Sequence, residues 1–252
     1  MERIDFARLT VTDIGEELRR YAAKRSLARK KQDGSWVTEV DIAIEKRVVE
    51  GLRKHFPDDA IVGEEFGASA LKTASGEGVT WYIDPIDGTT NFAVGLPLFA
   101  SALAYEKEGN MIGAAVSLPT LHTVIWAERG KGVICNNEPL SAIRSYASDM
   151  PRVQLLSYSD RHDARVERIR QQFPATRIFG SAVAAFCFFA QGSVSACIGL
   201  GQHPWDYAAG LLFAEELGAE VQDIRGNAVQ FPETTDVIFG TKETVQAILS
   251  AL

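Results

Sequence analysis

The sequence has few of the residues that bind soft metals or form disulfides. It holds three cysteines and four histidines, and the cysteines show no metal-ligand spacing. Cys187 and Cys197 lie in apolar runs, so we interpret them as buried thiols, which fits a reducing cytoplasm. The odd count, completed by Cys135, argues against a disulfide framework.

Long apolar runs and a basic excess are also missing. The apolar run at 182–190 is too short to span a membrane, and residues 1–5 do not start a signal peptide. Acidic residues outnumber basic ones by 33 to 26, which argues against a nucleic-acid-binding surface. We interpret the basic run 25–31 as a solvated helix end. We therefore expect a cytoplasmic protein without a membrane or nucleic-acid partner.

The strongest signal in the chain is the stretch 81–92, WYIDPIDGTTNF. Its apolar start predicts a buried strand that runs into a polar turn. Asp84 and Asp87 are separated by a proline that fixes the backbone, and Gly88 permits a tight bend and a close ligand. Thr89 can begin a short helix whose free N–H groups favour phosphate. Because carboxylates repel a phosphate, we interpret the stretch as a site where a divalent metal bridges the two.

Two further acidic motifs fit the same site. Glu64 and Glu65 follow the apolar run 60–63, so a second strand end delivers acids to the same sheet edge. Asp206 precedes a second apolar segment. Taken alone, Asp206 and the Asp-Gly-Thr string would be helix caps or a surface turn. An EF-hand calcium site is a third possibility, but its alternating ligands are absent.

The hydrophobic pattern predicts an α/β (α+β) fold with two unlike halves. The N-terminal α+β half, residues 1–145, contains an antiparallel meander over 98–140, and an alternating strand–helix pattern occupies residues 146–252. Residues 66–79 form an excursion over the site, and residues 141–151 link the halves. Helices are predicted over 6–21, 38–55, 161–172, 181–191, 205–217 and from 241. Strands are predicted over 60–63, 81–83, 98–106, 112–118, 123–128, 132–134, 153–157, 176–179, 194–198, 219–223 and 236–240.

Together these motifs resemble the inositol monophosphatase family. The strings Gly63-Glu64-Glu65, Asp84 to Asn91 and Trp205 to Gly210 occur in the family's order and spacing, and Thr38-Glu39-Val40-Asp41 adds to the match. Haloacid-dehalogenase-type phosphatases share Asp-Gly-Thr, but their nucleophile position is Pro85 here. The resemblance implies an αβαβα layered sandwich, a homodimer and lithium sensitivity.

The resemblance also implies a role for each site residue. Two or three Mg²⁺ ions would bind, which suits an all-oxygen site. Asp41 and Thr89 would orient the attacking water, beside Glu65. Gly88 and Thr89 would donate backbone N–H groups to phosphate. The metal ligands would be Glu64, Asp84, the carbonyl of Ile86, Asp87 and Asp206, and the substrate side would be Gly180, Ser181 and Ala182.

The expected activity is Mg²⁺-dependent hydrolysis of a small phosphate ester by direct in-line attack of water. Inositol 1-phosphate is the first candidate substrate, but Gly199 occupies the position at which inositol-selective members have a glutamate. Fructose 1,6-bisphosphate, histidinol phosphate and nucleotide 3′-phosphates therefore stay open. An alternative of another class is a non-catalytic regulatory protein, since some family members regulate the RNA-synthesis machinery.

Overall fold

The computed structural model describes residues 1–22, 28–31, 36–66, 78–142, 154–158, 164–173 and 175–252, with the backbone alone for 22 and 154–158. Its helices and strands alternate irregularly along the chain. The helices are α1 Arg3–Ala22, α2 Glu39–His55, α3 Thr89–Val94, α4 Ala164–Gln172, α5 Ala182–Ala190, α6 Pro204–Glu216 and α7 Lys242–Leu249. The strands are β1 Ala28–Lys30, β2 Trp36–Thr38, β3 Ala60–Gly63, β4 Val79–Asp87, β5 Ala100–Lys107, β6 Asn110–Leu118, β7 Thr123–Glu128, β8 Val133–Cys135, β9 Glu138–Pro139, β10 Gln154–Tyr158, β11 Ala196–Leu200, β12 Glu220–Asp223 and β13 Val237–Gly240.

Two mixed sheets carry the fold. The first has seven strands in the order β3 to β9; only its first pair, β3 and β4, is parallel. The second has the order β10-β11-β13-β12, with β10 and β11 parallel. The antiparallel meander predicted for the first half is therefore confirmed.

Three apolar clusters hold five layers together, because the middle cluster includes the helix layer between the two sheets. One lies between helices α1 and α2 and the first sheet, and includes Trp81 and Ile83. The next contains Tyr82 from the opposite face of β4 and joins both sheets through α5 and α6. The third packs α7 against the outer face of the second sheet, with Val166 and Ile169 of α4 in the same cluster. This arrangement confirms the αβαβα sandwich, while the division into halves at residue 145 stays a prediction.

Several local predictions need correction. No strand covers 176–179: only Arg177 makes a strand-type bridge, because the N–H of Thr176 bonds within a turn to Phe173 O and the carbonyl of Phe179 accepts from a side chain. Val79 already belongs to β4, and residues 67–77 of the predicted excursion lie outside the described residues. So does the linking segment from residue 143 onward. Among the described residues, no helix is long and apolar enough to cross a bilayer.

Candidate metal centre

An irregularity in β4 brings Asp84 and Asp87 to the same side of the sheet. Residues three apart on a regular strand point to opposite faces. Here the pairing of β4 with β5 shifts register between Asp84 and Asp87, where Pro85 has no N–H to give to the ladder. Such a bulge redirects a side chain, so both carboxylates join one cluster.

Asp206 completes this cluster from a distant part of the chain. Carboxylate oxygens of Asp84, Asp87 and Asp206 lie within 4.8 Å of one another. Asp206 is the third residue of α6, and its Oδ2 accepts a 2.7 Å hydrogen bond from the N–H of His203. The helix-cap interpretation is therefore correct for Asp206, but the same side chain also faces the other two acids.

Glu64 reaches the centre from the end of the neighbouring parallel strand. Glu64 is the first residue after β3, and its N–H donates to Ile83 O of β4 at 3.2 Å. Lys31 Nζ lies 2.8 Å from Glu64 Oε1 and 2.8 Å from Glu65 Oε1. The interpretation of the basic run as a solvated helix end is wrong for Lys31, because it follows strand β1 and neutralises two site acids.

Asp41 points from the start of α2 towards the same centre. Its Oδ2 accepts from the N–H of Thr38 at 2.8 Å and from the Thr38 hydroxyl, which forms the predicted capping box. The Thr89 hydroxyl lies 3.2 Å from the other oxygen of Asp41, Oδ1, and 3.0 Å from the carbonyl oxygen of Ile86. The capping role and the place beside Thr89 therefore coexist.

Gly88 makes the turn between the strand and α3. It has φ +82°, and a Cβ there would lie 3.1 Å from the carbonyl oxygens of Gly180 and Leu98. Both the left-handed backbone and the lack of space require glycine. Asn91 holds the turn in place by donating to Leu98 O at 2.6 Å and Phe179 O at 2.7 Å.

The predicted substrate-side turn contacts Asp87. Asp87 accepts hydrogen bonds from the Ser181 hydroxyl, from Ala182 N at 3.1 Å and from Val183 N at 2.8 Å. Gly180 precedes this turn with φ +71°. A carboxylate at the start of α5 complements the free N–H groups of that helix, so the turn fixes Asp87 in the centre.

Burial concentrates negative charge here at a high cost. Burial raises the pKa of Asp84 well above its usual range, and the nearby carboxylates of Glu64, Asp87 and Asp206 raise it further. The pKa of Asp206 rises in the same way, through burial and then Asp87. Burial raises the pKa of Asp87 to about 6 against the hydrogen bonds from the α5 turn. A bound cation would reverse these shifts.

The donor set fits a divalent metal. Asp84 is 1% exposed, and its Oδ1 accepts no hydrogen bond within the described structure. A buried carboxylate oxygen without a donor is costly unless it meets a cation. Carboxylates and a nearby backbone carbonyl match the ligands that Mg²⁺ takes. The convergence of Glu64, Asp84, Asp87 and Asp206 is thus a candidate metal centre.

Sequence reasoning missed three residues that the structure places at this centre. Lys31 belongs to no recognisable motif. Val183 contributes only its backbone N–H, which no pattern of side chains reveals. Glu45 is fully buried and accepts hydrogen bonds from Glu65 N and Phe66 N. The spacing of Asp41 and Glu45, four residues apart on one helix face, was the available signal.

The fold and the acidic centre define a class of layered α/β phosphatases, and the comparisons name the family. The model of the Inositol monophosphatase family matches residues 1–252, so the chain belongs to this family of phosphatases. The fructose-1,6-bisphosphatase/inositol-1-monophosphatase of Thermotoga maritima is 33% identical over 90% of this chain and 86% of its own length.

Two other similarities complete this comparison. Nus factor SuhB of Pseudomonas aeruginosa is 34% identical over 86% of this chain and 82% of its own. The solved Thermotoga maritima IMPase structure superimposes with a TM-score of 0.84 at 29% identity, covering 100% of this chain and 98% of that chain. The family membership expected from the motifs is therefore confirmed.

Proposed function

We propose that this phosphatase hydrolyses a small polyol or sugar phosphate in a Mg²⁺-dependent reaction, with inositol 1-phosphate as the first candidate substrate. The observation that carries the proposal is the cluster of Asp84, Asp87 and Asp206 beside the Gly88–Thr89 turn. Three acids from two distant chain segments, β4 and α6, meet around a buried oxygen of Asp84 that accepts no hydrogen bond from the described residues. Helix capping explains the hydrogen bond of Asp206 to His203, but it does not explain why Asp206 lies beside Asp84 and Asp87.

We assign a role to each residue of the centre on the basis of its position. Two or three Mg²⁺ ions would be held by Glu64, Asp84, Asp87, Asp206 and the carbonyl of Ile86, and would neutralise charge on the phosphate and the leaving oxygen. The N–H groups of Gly88 and Thr89 bind phosphate oxygens. Asp41 orients the Thr89 hydroxyl, and this pair positions the attacking water. Glu65 stays next to the centre and pairs with Lys31.

The substrate side is less like an inositol site. Gly199 lies in β11, and a Cβ there would approach Gln202 Cγ to 2.7 Å. The Gln202 side chain thus fills the space beside Gly199, which places a neutral amide and not a glutamate next to this position. Gly180, Ser181 and Ala182 border the substrate through the turn that holds Asp87.

A phosphatase panel tests this proposal. Phosphate release is measured with inositol 1-phosphate, fructose 1,6-bisphosphate, histidinol phosphate and a nucleoside 3′-phosphate, each with and without Mg²⁺. We expect Mg²⁺-dependent turnover with the highest kcat/KM for inositol 1-phosphate, and inhibition on LiCl titration. Absence of Mg²⁺-dependent release from every ester would refute the activity. A higher kcat/KM for another ester would refute only the substrate order.

A second candidate function rests on the similarity to a protein named Nus factor SuhB. A chain 34% identical to it could serve as a regulatory partner in transcription. A pull-down with purified RNA polymerase, run beside the phosphatase panel, separates the two functions. Binding without any phosphate release would favour the regulatory role.

We also propose a homodimer. Four exposed apolar side chains belong to segments that hydrogen bonds tie together: Asn91 links 98 and 179, and the Thr120 hydroxyl donates to Pro97 O at 2.6 Å. Light scattering after gel filtration should give twice the 27.5 kDa chain mass, and a monomer mass would contradict the proposal. These side chains are Val94, Leu96, Leu121 and Ile178.

A further inference from the structure

Glu45 lies in the core beneath the segment that carries Glu64. It belongs to α2, one turn after Asp41, and its side chain is fully buried. Glu45 Oε2 accepts the N–H of Glu65 at 2.9 Å, and Oε1 accepts the N–H of Phe66 at 3.0 Å. A buried carboxylate is costly, so its placement on two backbone donors needs a reason.

These two bonds complete the fixation of the backbone around Glu64. The N–H of Glu64 is already bonded to Ile83 O at 3.2 Å. With Glu45, three consecutive N–H groups, those of residues 64 to 66, have fixed acceptors. Glu64 follows the last β3 residue, so the bonds to Ile83 and to Glu45 hold the chain just where it leaves the strand. The direction of the Glu64 side chain therefore depends on Glu45.

Gly63 supplies the space for this contact. A Cβ at Gly63 would lie 2.0 Å from Glu45 Oε1 and 2.5 Å from its carboxyl carbon. Its φ is not in the left-handed region, so steric room and not backbone conformation requires glycine here. Gly63 and Glu45 therefore pack directly against each other, although they lie eighteen positions apart in the sequence.

We propose that Glu45 is a positioning residue that, seated against Gly63, aims Glu64 at the metal centre and thereby sets the affinity for divalent cations. This inference rests on the proposed metal-dependent function. It assigns to α2 two tasks on one face: Asp41 orients Thr89, and Glu45 orients Glu64. Glu45 itself touches neither the centre's cluster of three aspartates nor a substrate in this account.

The test is direct binding of Mn²⁺, followed by electron paramagnetic resonance, to the full-length protein. In Glu45→Gln the amide can accept only one of the two N–H groups and turns an N–H₂ towards the other. We expect the Mn²⁺ Kd to rise about tenfold, on the scale of losses measured when groups that support metal ligands are removed. Gly63→Ala, which displaces the carboxylate, should give a similar rise.

A matched control separates positioning from a general loss of stability. Asp59 precedes the same strand, is 6% exposed, and accepts bonds from Arg3 and from Trp81 Nε1. Asp59→Asn should lower the Tm while leaving the Mn²⁺ Kd unchanged. If Glu45→Gln behaves like Asp59→Asn, Glu45 is merely structural and the inference is wrong.

A double-mutant comparison adds a second independent outcome. In a Glu45→Ala background the carboxylate is absent, so adding Gly63→Ala should not weaken Mn²⁺ binding further. Additive losses would overturn the coupling of Gly63 to Glu45. If the unmodified protein binds no Mn²⁺, the proposed function fails; if it binds normally and the Glu45 variants do too, only this inference fails.

Discussion

At the scale of single residues, Lys31 shows how the centre balances its charge. Its ammonium lies 2.8 Å from both Glu64 Oε1 and Glu65 Oε1. Burial opposes the charged form, but the two carboxylates outweigh burial and raise the pKa of Lys31. A metal ion bound at the proposed centre would therefore compete with Lys31 for Glu64.

Removal of this ammonium should strengthen metal binding. For Lys31→Met we expect divalent ions to bind about tenfold more tightly, equivalent to ~1.4 kcal/mol, because no ammonium competes for Glu64. In excess chelator the same variant should have a lower Tm, since two adjacent carboxylates lose their partner. Calorimetric titration with Mg²⁺ checks the first effect and thermal unfolding the second.

The control for this prediction is the neighbouring Lys30→Met, whose side chain is exposed. It should leave both the affinity and the Tm unchanged. Weaker Mg²⁺ binding by Lys31→Met would show that Lys31 supports the metal site and does not compete with it.

At the scale of elements, the bulge in β4 and the turn into α3 create the site. The sequence predicted a strand that ends in a turn near Asp84, whereas the strand continues to Asp87 through a register shift. Residue patterns cannot show such a shift, because it depends on the pairing partner β5. The proline and the glycine of the motif were nevertheless sufficient to locate the bend.

Gly88→Ala tests the turn. Left-handed backbone costs a non-glycine residue roughly 1–2 kcal/mol, and the contacts of 3.1 Å add a displacement of the Gly180 and Leu98 carbonyls. We expect a loss of about 2 kcal/mol in the free energy of unfolding from urea titration, and a large fall in kcat.

Gly95→Ala is the matched comparison at the other end of α3. Its φ is +83°, and nothing lies within 4 Å of the added Cβ. This variant should lose similar stability from the backbone alone and keep its kcat. Equal effects of both variants on kcat would contradict the role of close approach at Gly88.

At the scale of the whole molecule, residues spread from Lys31 to Asp206 of the 252-residue chain converge on one centre. Most helices, the meander and the acidic motifs were predictable, because hydrophobic period and turn residues are local signals. Lys31 and Glu45 were not, because their partners lie 33 and 20 or 21 residues away. Long-range pairing of buried charges is visible only once the layers are packed.

This concentration of acids predicts a pH-dependent effect of Mg²⁺ on stability. Burial raises the pKa of Asp41 and Asp87 to about 6, above the usual value near 3.8. Between these values the folded protein binds more protons than the unfolded chain, so stability without metal falls as pH rises from 4 through 6. A metal bound at Asp87 and close to Asp41 would displace those protons, so we expect its stabilising effect to grow over the same range.

Thermal unfolding with Mg²⁺ and with excess chelator measures this difference. The gap in Tm between the two conditions should widen from pH 5 to pH 7.5. A gap that is constant with pH would mean that the metal binds neither through Asp87 nor close to Asp41.

The most direct measurement of the central claim is Mn²⁺ binding to Asp84→Asn beside the unmodified protein, with circular dichroism to confirm folding. Asp84 is the most buried acid of the cluster, and its Oδ1 accepts no hydrogen bond from the described residues. The account predicts at least a hundredfold loss of affinity, about 2.7 kcal/mol, with the fold intact. Unchanged Mn²⁺ binding by the folded variant would contradict it.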